Sequence, residues 1–126
     1  MLIYIIMNTK QSIKDLIQEK YPDLINEDKP YLIHPYTKEE AKKLNVIVKP
    51  SDKKGKKIDV FTNKGTYLVS IGAKGYSDYP TYRFLEFHKL YPSGHANKRQ
   101  ELYKKRHAKF SDFVGSPSYY ANKLLW

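Results

Sequence analysis

The clearest pattern of hydrophobic and polar positions lies in the middle of the chain. Residues 57–62 and 66–71 each alternate, and Asn63-Lys64-Gly65 separates the two runs. Alternation with a period of two is typical of half-buried strands, and glycine readily adopts the positive φ of a tight turn. The sequence therefore predicts a β-hairpin over 57–71. The residues expected on its inner face are Ile58, Val60, Tyr67, Val69 and Ile71.

A short helix is predicted near the start of the chain. Within residues 11–20, Ile13, Leu16 and Ile17 recur at helical spacing. Ser12 can cap its first turn, and Tyr21-Pro22 should end it because proline disfavours helical geometry in the residue before it.

A second short helix should precede the hairpin. Thr37 and Glu40 have the spacing of a capping box, which predicts a helix that begins at Thr37 and ends at about Leu44. Asn45 then closes it, since asparagine tolerates left-handed backbone at a helix end. Residues 46–48 read as a brief buried strand, with a break at Pro50.

Three further helices are predicted after the hairpin. Residues 81–91 are amphipathic in part and stop at Pro92-Ser93-Gly94. Residues 96–110 form the best helical pattern, with Ala96, Tyr103, His107 and Phe110 on one side. Ser116-Pro117 then combines a capping residue with proline at the first helical position. The last helix, 117–125, should dock Leu124-Leu125-Trp126 on the core.

Length and cysteine content set limits on the class of protein. The 126 residues suit one domain, and the absence of cysteine excludes disulfides and thiolate metal sites. The apolar start, MLIYIIM, is too short to span a bilayer and lacks the flanking residues of a signal peptide. We expect an edge strand or a frayed start there.

Positive charge is concentrated after position 50. Residues 51–126 contain fifteen lysines and arginines against six acids, whereas residues 1–50 contain eight against seven. Such a field favours polyanionic partners, namely nucleic acid or the acidic face of another protein. The candidate binding residues are Lys53, Lys54, Lys56, Lys57, Lys98, Arg99, Lys104, Lys105, Arg106 and Lys109.

Two interpretations of these cations remain open. Lysine and arginine bind phosphates without reading sequence, and the twelve tyrosines of the chain could stack on bases of single strands. The alternative is a solvated helix face whose lysine stems cover apolar surface.

The stretch IGAKGYSDYPTY, residues 71–82, is too irregular for a helix and too broken for a strand. We interpret it as a packed corner or a docking surface. Asp78 can accept local backbone hydrogen bonds, and as a lone acid in a basic region it is expected to pair with Arg99 or Arg106. The residues expected to pack or dock here are Tyr76, Asp78, Tyr79, Tyr82 and Trp126.

Catalytic and metal motifs are weak. His88 and His95 match no compact zinc spacing, so no metal and no cofactor is expected. Asp78, Glu86, Glu101 and His107 could join a nuclease-like cluster, but they do not show a recurring catalytic spacing. No catalytic residue is assigned, and a metal-dependent nuclease ranks third among the possible functions.

The C-terminal half resembles a family of small proteins encoded by large double-stranded DNA viruses of algae and amoebae. The matching residues are the GYSDYP run, the helix NKRQELYKKRH and the end GSPSYYANKLLW. The resemblance covers roughly 55 residues. It implies a structural protein, a minor capsid or virion-associated component found in the virion and, during assembly, in the host cytoplasm. It implies no catalytic residue.

Taken together, these patterns predict an α+β fold in which a small antiparallel sheet is packed by C-terminal helices. Residues 1–50 are expected to form a helical arm or lobe, and residues 51–126 the basic core of what is overall one compact domain. The expected function is non-enzymatic: contact with other virion proteins, of which capsid proteins are candidates, or with nucleic acid, without a membrane span. The alternative is a sequence-independent nucleic-acid-binding protein acting on viral DNA.

Overall fold

The computed structural model of the chain describes residues 12–111 and 113–126. The apolar start and Asp112 lie outside these residues. Helices and strands follow one another in an α+β arrangement, which confirms the predicted fold class. In chain order they are α1 (Ile13–Lys20), α2 (Pro35–Leu44), β1 (Val46–Pro50), β2 (Lys56–Thr62), β3 (Tyr67–Ala73), α3 (Tyr79–Phe87), α4 (His95–Arg106), α5 (Ala108–Ser111) and α6 (Pro117–Leu124).

The three strands form one antiparallel sheet in the order β1-β2-β3. The predicted hairpin is confirmed, and Ile58, Val60 and Ile71 are buried on its inner face. Tyr67 departs from the prediction. The β2–β3 pairing shifts register between Val60 and Phe61, and the ring of Tyr67 contacts Phe61 instead of the core.

Strand β1 begins where predicted but is only partly buried. Val46 and Val48 pack against the core, whereas Ile47 between them is 39% exposed. One face of β1 lies on the core and the other faces solvent, so its side chains alternate between partly buried and exposed. Pro50 does not break the strand but ends it, a position that an edge strand tolerates.

The predicted capping box at the start of helix α2 is wrong. The helix begins at Pro35, and its cap residue is His34, so Thr37 lies inside the first turns. The Thr37 hydroxyl is buried and donates a 2.8 Å hydrogen bond to the carbonyl oxygen of Leu124. Thr37 therefore ties α2 to the end of the chain. Asn45 closes the helix in left-handed backbone, as predicted.

Helix α3 begins within the stretch predicted to be irregular. Asp78 is its cap residue, and the Asp78 side chain accepts a hydrogen bond from the backbone N–H of Thr81. Pro80 lies in the first turn, where a missing N–H costs nothing. The helix ends at Phe87, earlier than predicted, since Lys89 adopts a positive φ.

The helices after residue 94 follow the prediction with one interruption. The expected helix 96–110 divides at His107 into α4 and the short α5. Ala96 is buried, but Phe110 is 55% exposed and so does not share its face. Ser116 caps α6 with Pro117 in the first turn, as predicted.

The main core draws side chains from both halves of the chain. Tyr31 and Ala41 pack in the same cluster as the sheet residues and the buried end of the chain, Leu124, Leu125 and Trp126. A second cluster joins Leu16 and Ile17 of α1 to Leu85 and Leu90. The predicted docking of Leu124-Leu125-Trp126 on the core is confirmed.

Candidate functional site

A buried ion pair supports the loop between β3 and α3. The Nζ of Lys57, on β2, lies 2.9 Å from Oδ2 of Asp78. The Tyr31 hydroxyl donates a 2.6 Å hydrogen bond to the same oxygen. Lys57 also donates a 2.6 Å hydrogen bond to the carbonyl oxygen of Tyr76. The pair thus fixes both the start of α3 and the backbone that precedes it.

The surroundings of Asp78 keep it ionised. Burial alone would raise the pKa of this carboxyl, which is 1% exposed. The positive charge of Lys57 and hydrogen bonds from Tyr31, Lys57 and Thr81 outweigh burial, so the pKa lies below its ordinary value. Burial and the charge of Asp78 raise the pKa of Tyr31, which therefore acts as a neutral donor.

These contacts correct two expectations. Asp78 pairs with Lys57 and not with Arg99 or Arg106, and Lys57 is a buried partner and not a surface cation.

Gly72 explains the burial of Lys57. A Cβ at position 72 would lie 2.9 Å from Cδ of Lys57 and 2.8 Å from Cδ1 of Leu125. Glycine therefore leaves the space that the lysine stem occupies.

A basic aromatic cavity of about 380 Å³ lies above this ion pair. Strands β2 and β3, the 74–78 loop, α3, α4 and the end of the chain contribute to its walls. We call it the arginine cavity, and its main lining residues are Lys56, Tyr82, Arg99, Tyr103, Arg106 and Trp126.

The cavity is positively charged. Lys56, Arg99 and Arg106 each contribute a cation, whereas the charges of Lys57 and Asp78 offset one another. None of the ion pairs found within residues 12–111 and 113–126 involves an arginine. The Nε of Arg99 is buried, and no hydrogen-bond partner for it is found among the described residues.

Stacked rings form the rigid wall of the arginine cavity. Tyr103 lies parallel to Trp126, with ring centroids 4.2 Å apart, and its other face stacks on His107 at 4.1 Å. The guanidinium of Arg99 lies 5.7 Å from the ring centroid of Tyr82. Trp126 is also held through its main chain, because its O atom accepts a 2.5 Å hydrogen bond from Gln100.

The three tyrosines of the 71–82 stretch have different surroundings. Tyr79 is buried, donates to Asn97 of α4 and packs edge-on against Tyr36. Tyr82 contacts Trp126 at a centroid distance of 6.2 Å, so these two pack much as expected. Tyr76, at the rim of the arginine cavity, is 73% exposed. Tyr76 is therefore not part of a packed corner, and its role in docking stays a prediction.

The remaining predicted cations are exposed but spread over the surface. Lys53 lies beside Tyr67, with its Nζ 2.5 Å from the phenol oxygen. Burial lowers the pKa of Lys104, and the charge of Lys123, on α6, lowers it further. The other exposed cations are Lys54, Lys98, Lys105 and Lys109.

Tyr31 was not predicted as part of the site. It lies between Pro30 and Leu32 in a segment without hydrophobic periodicity, so no local signal marked it. Gly72 directly follows the alternating run 66–71, and a glycine in or beside a strand is a general sign of close backbone approach.

Carboxylates do not cluster in this region. Across the described part of the chain, no group of three or more His, Cys, Asp or Glu residues is arranged to hold a metal ion. Within the same residues, no helix is both long and apolar enough to cross a bilayer.

Comparison with known proteins gives no relative. No family model, no curated protein and no solved structure matches this chain significantly.

Proposed function

We propose that this protein is a non-enzymatic interaction protein that binds nucleic acid through the arginine cavity and its rim. The observation that supports this most is the convergence of Lys56, Arg99 and Arg106 on one cavity that also exposes tyrosine. Arginine donates two parallel hydrogen bonds to a phosphate, and aromatic rings stack on bases without reading their sequence.

Nucleic acid fits the cavity better than an acidic protein surface. An acidic protein would satisfy the cations, and the exposed ring of Tyr76 beside them would serve there as general contact area. Single-stranded nucleic acid uses both features, because its phosphates and unstacked bases alternate along the strand. We therefore propose a single strand as the ligand and binding that is independent of sequence.

The biological setting follows from the resemblance described above. On that basis we propose that the protein is a minor capsid or virion-associated component of a large DNA virus, present in the virion and, during assembly, in the host cytoplasm. Contacts with other virion proteins would then accompany those with viral DNA.

The test compares two charge-matched double variants by fluorescence polarisation with a random single-stranded DNA of about 12 nucleotides. Arg99→Gln/Arg106→Gln removes two cations from the arginine cavity, and Lys38→Gln/Lys64→Gln removes two exposed cations elsewhere. We expect the arginine variant to bind about a hundredfold more weakly, since each of the two lost charged hydrogen bonds contributes about 1.5 kcal/mol. Equal weakening in both variants would contradict the proposal.

A further inference from the structure

The guanidinium of Arg99 is incompletely satisfied. Its Nε is buried, and no hydrogen-bond partner for this atom is found among the described residues. Buried polar groups of a folded protein are nearly always hydrogen-bonded, so an unpartnered one calls for an explanation such as a missing ion or ligand. Contact with Tyr82 restrains the side chain. Arg99 lines the arginine cavity, where an anion would supply acceptors for its guanidinium group.

The charge of the cavity matches a phosphate that carries two negative charges. Three cations, Lys56, Arg99 and Arg106, line the cavity. The side-chain carboxylate of Asp78 in its wall already bonds Lys57 and Tyr31. A phosphomonoester carries nearly two negative charges at neutral pH, whereas an internal phosphodiester carries one. The excess of positive charge therefore favours the phosphorylated end of a nucleic-acid strand over an internal phosphate.

The dimensions of the cavity also favour the end of a nucleic-acid strand. A volume of about 380 Å³ falls in the range of pockets that hold one small ligand, of the size of a single nucleotide. The buried Lys57–Asp78 pair and Leu125 form part of its wall on the side of the core. We therefore expect the end of a nucleic-acid strand to fit this cavity better than the middle of one.

Tyr76 supplies the contact that distinguishes a nucleotide from a bare phosphate. Its ring is exposed at the rim, and the hydrogen bond from Lys57 to its carbonyl oxygen fixes its backbone. Gly75, next to it, adopts a φ of +88°, and a Cβ there would overlap the carboxylate of Glu27. The backbone of the loop is therefore held where it places Tyr76 at the rim of the arginine cavity.

We propose that the arginine cavity receives the phosphorylated end of a nucleic-acid strand, with Arg99 and Arg106 on the terminal phosphate and the ring of Tyr76 on the adjoining base. This inference rests on the proposed function, because it names the part of the nucleic acid that the same site binds.

The experiment measures the affinity of three probes of one sequence, about 12 nucleotides long, by fluorescence polarisation. One probe has a 5′-phosphate, one a 3′-phosphate, and one has hydroxyl groups at both ends. We expect one phosphorylated probe to bind about tenfold more tightly than the hydroxyl probe. Arg99→Gln/Arg106→Gln should abolish this preference, and Lys38→Gln/Lys64→Gln should preserve it.

Two single variants at exposed positions test the inference without disturbing the fold. Arg106 and Tyr76 are both exposed, so Arg106→Gln and Tyr76→Ala should leave the fold intact. Arg106→Gln should reduce the preference for the phosphorylated end. Tyr76→Ala should weaken binding of the phosphorylated probe by roughly tenfold, as expected for the loss of one stacked base.

The outcomes separate the two proposals. Salt-dependent binding with equal affinity for all three probes would overturn the terminal-phosphate inference and leave the proposed function standing. Absence of binding to every probe at low salt would overturn both. Tighter competition by a phosphoserine peptide than by the phosphorylated oligonucleotide would also overturn the inference, because the cavity would then recognise a modified protein.

Discussion

The ammonium group of Lys57 lies 2.9 Å from the carboxylate of Asp78, and both side chains are almost entirely buried. One partner comes from β2 and the other caps α3, so a single contact joins the sheet to the helix that supplies Tyr82 to the arginine cavity. The hydrogen bond from Lys57 to the carbonyl oxygen of Tyr76 extends this support to the rim. The geometry of the candidate site therefore depends on this pair.

Removing one partner of the pair should be more damaging than replacing both. Lys57→Met leaves the Asp78 carboxylate buried without its cation, which should lower the free energy of unfolding by about 3–5 kcal/mol. Lys57→Met/Asp78→Asn removes both charges, and asparagine still caps α3, so part of this loss should be recovered. Guanidinium unfolding at neutral pH measures both variants. A double variant no more stable than Lys57→Met would contradict this account of the pair.

Gly72 should tolerate substitution less well than Gly65. Both residues have a positive φ, so alanine is strained at either position. At position 65 a Cβ would meet no atom within 4 Å, and we expect a cost of about 1 kcal/mol from the backbone alone. At position 72 it would press on Leu125 and on the stem of Lys57, which its ion pair holds in place. Overpacking should add about 1–3 kcal/mol.

The comparison of Gly65→Ala with Gly72→Ala uses thermal or guanidinium unfolding. Because both variants introduce the same methyl group at a positive φ, the difference between them isolates the contact with Lys57 and Leu125. Equal destabilisation would show that the close approach at Gly72 is not important.

Stability should fall on mild acidification because of His34. Burial lowers the pKa of His34; the charge of Asp78 opposes this effect, and that of Lys57 adds to it. The folded protein therefore binds the proton less readily than the unfolded chain. The stabilisation is complete above the unfolded pKa of about 6.5 and is lost as the pH falls from there through the folded pKa.

The measurement is the free energy of unfolding at about pH 7.5 and about pH 5.5. Burial and the charge of Arg99 also lower the pKa of His95, so both histidines should contribute to the slope. His34→Gln should reduce the pH dependence, and His34→Gln/His95→Gln should reduce it further. If neither variant changed the pH dependence of the free energy of unfolding, groups other than these histidines would be responsible for it.

Local patterns predicted the fold where neighbours in sequence decide the structure. The hairpin, the left-handed Asn45 and the Ser116-Pro117 start all follow from short-range geometry. Thr37 was misread because its partner, Leu124, is distant in sequence. The start of α3 was missed because the tyrosines and glycines before it obscured Asp78 as a cap residue.

The candidate site was predictable in composition but not in arrangement. Arg99, Arg106 and Lys56 were identified from charge, and Tyr82 and Trp126 from their aromatic rings. Strand alternation places Lys57 on the face opposite Ile58, so its burial depends on Gly72 and on the chain that covers it. These cations and rings come together in one cavity only in the tertiary structure. Their spacing in the sequence does not predict this.

The most direct test of nucleic-acid binding by the arginine cavity is the salt dependence of single-stranded DNA affinity. The logarithm of the association constant should fall linearly with the logarithm of salt concentration between roughly 50 and 200 mM, since each phosphate contact releases counterions. In Arg99→Gln/Arg106→Gln the slope should decrease by about one to two, one for each lost phosphate contact, whereas Lys38→Gln/Lys64→Gln should keep the wild-type slope. Affinity that does not change with salt, or identical slopes in the two double variants, would contradict the account.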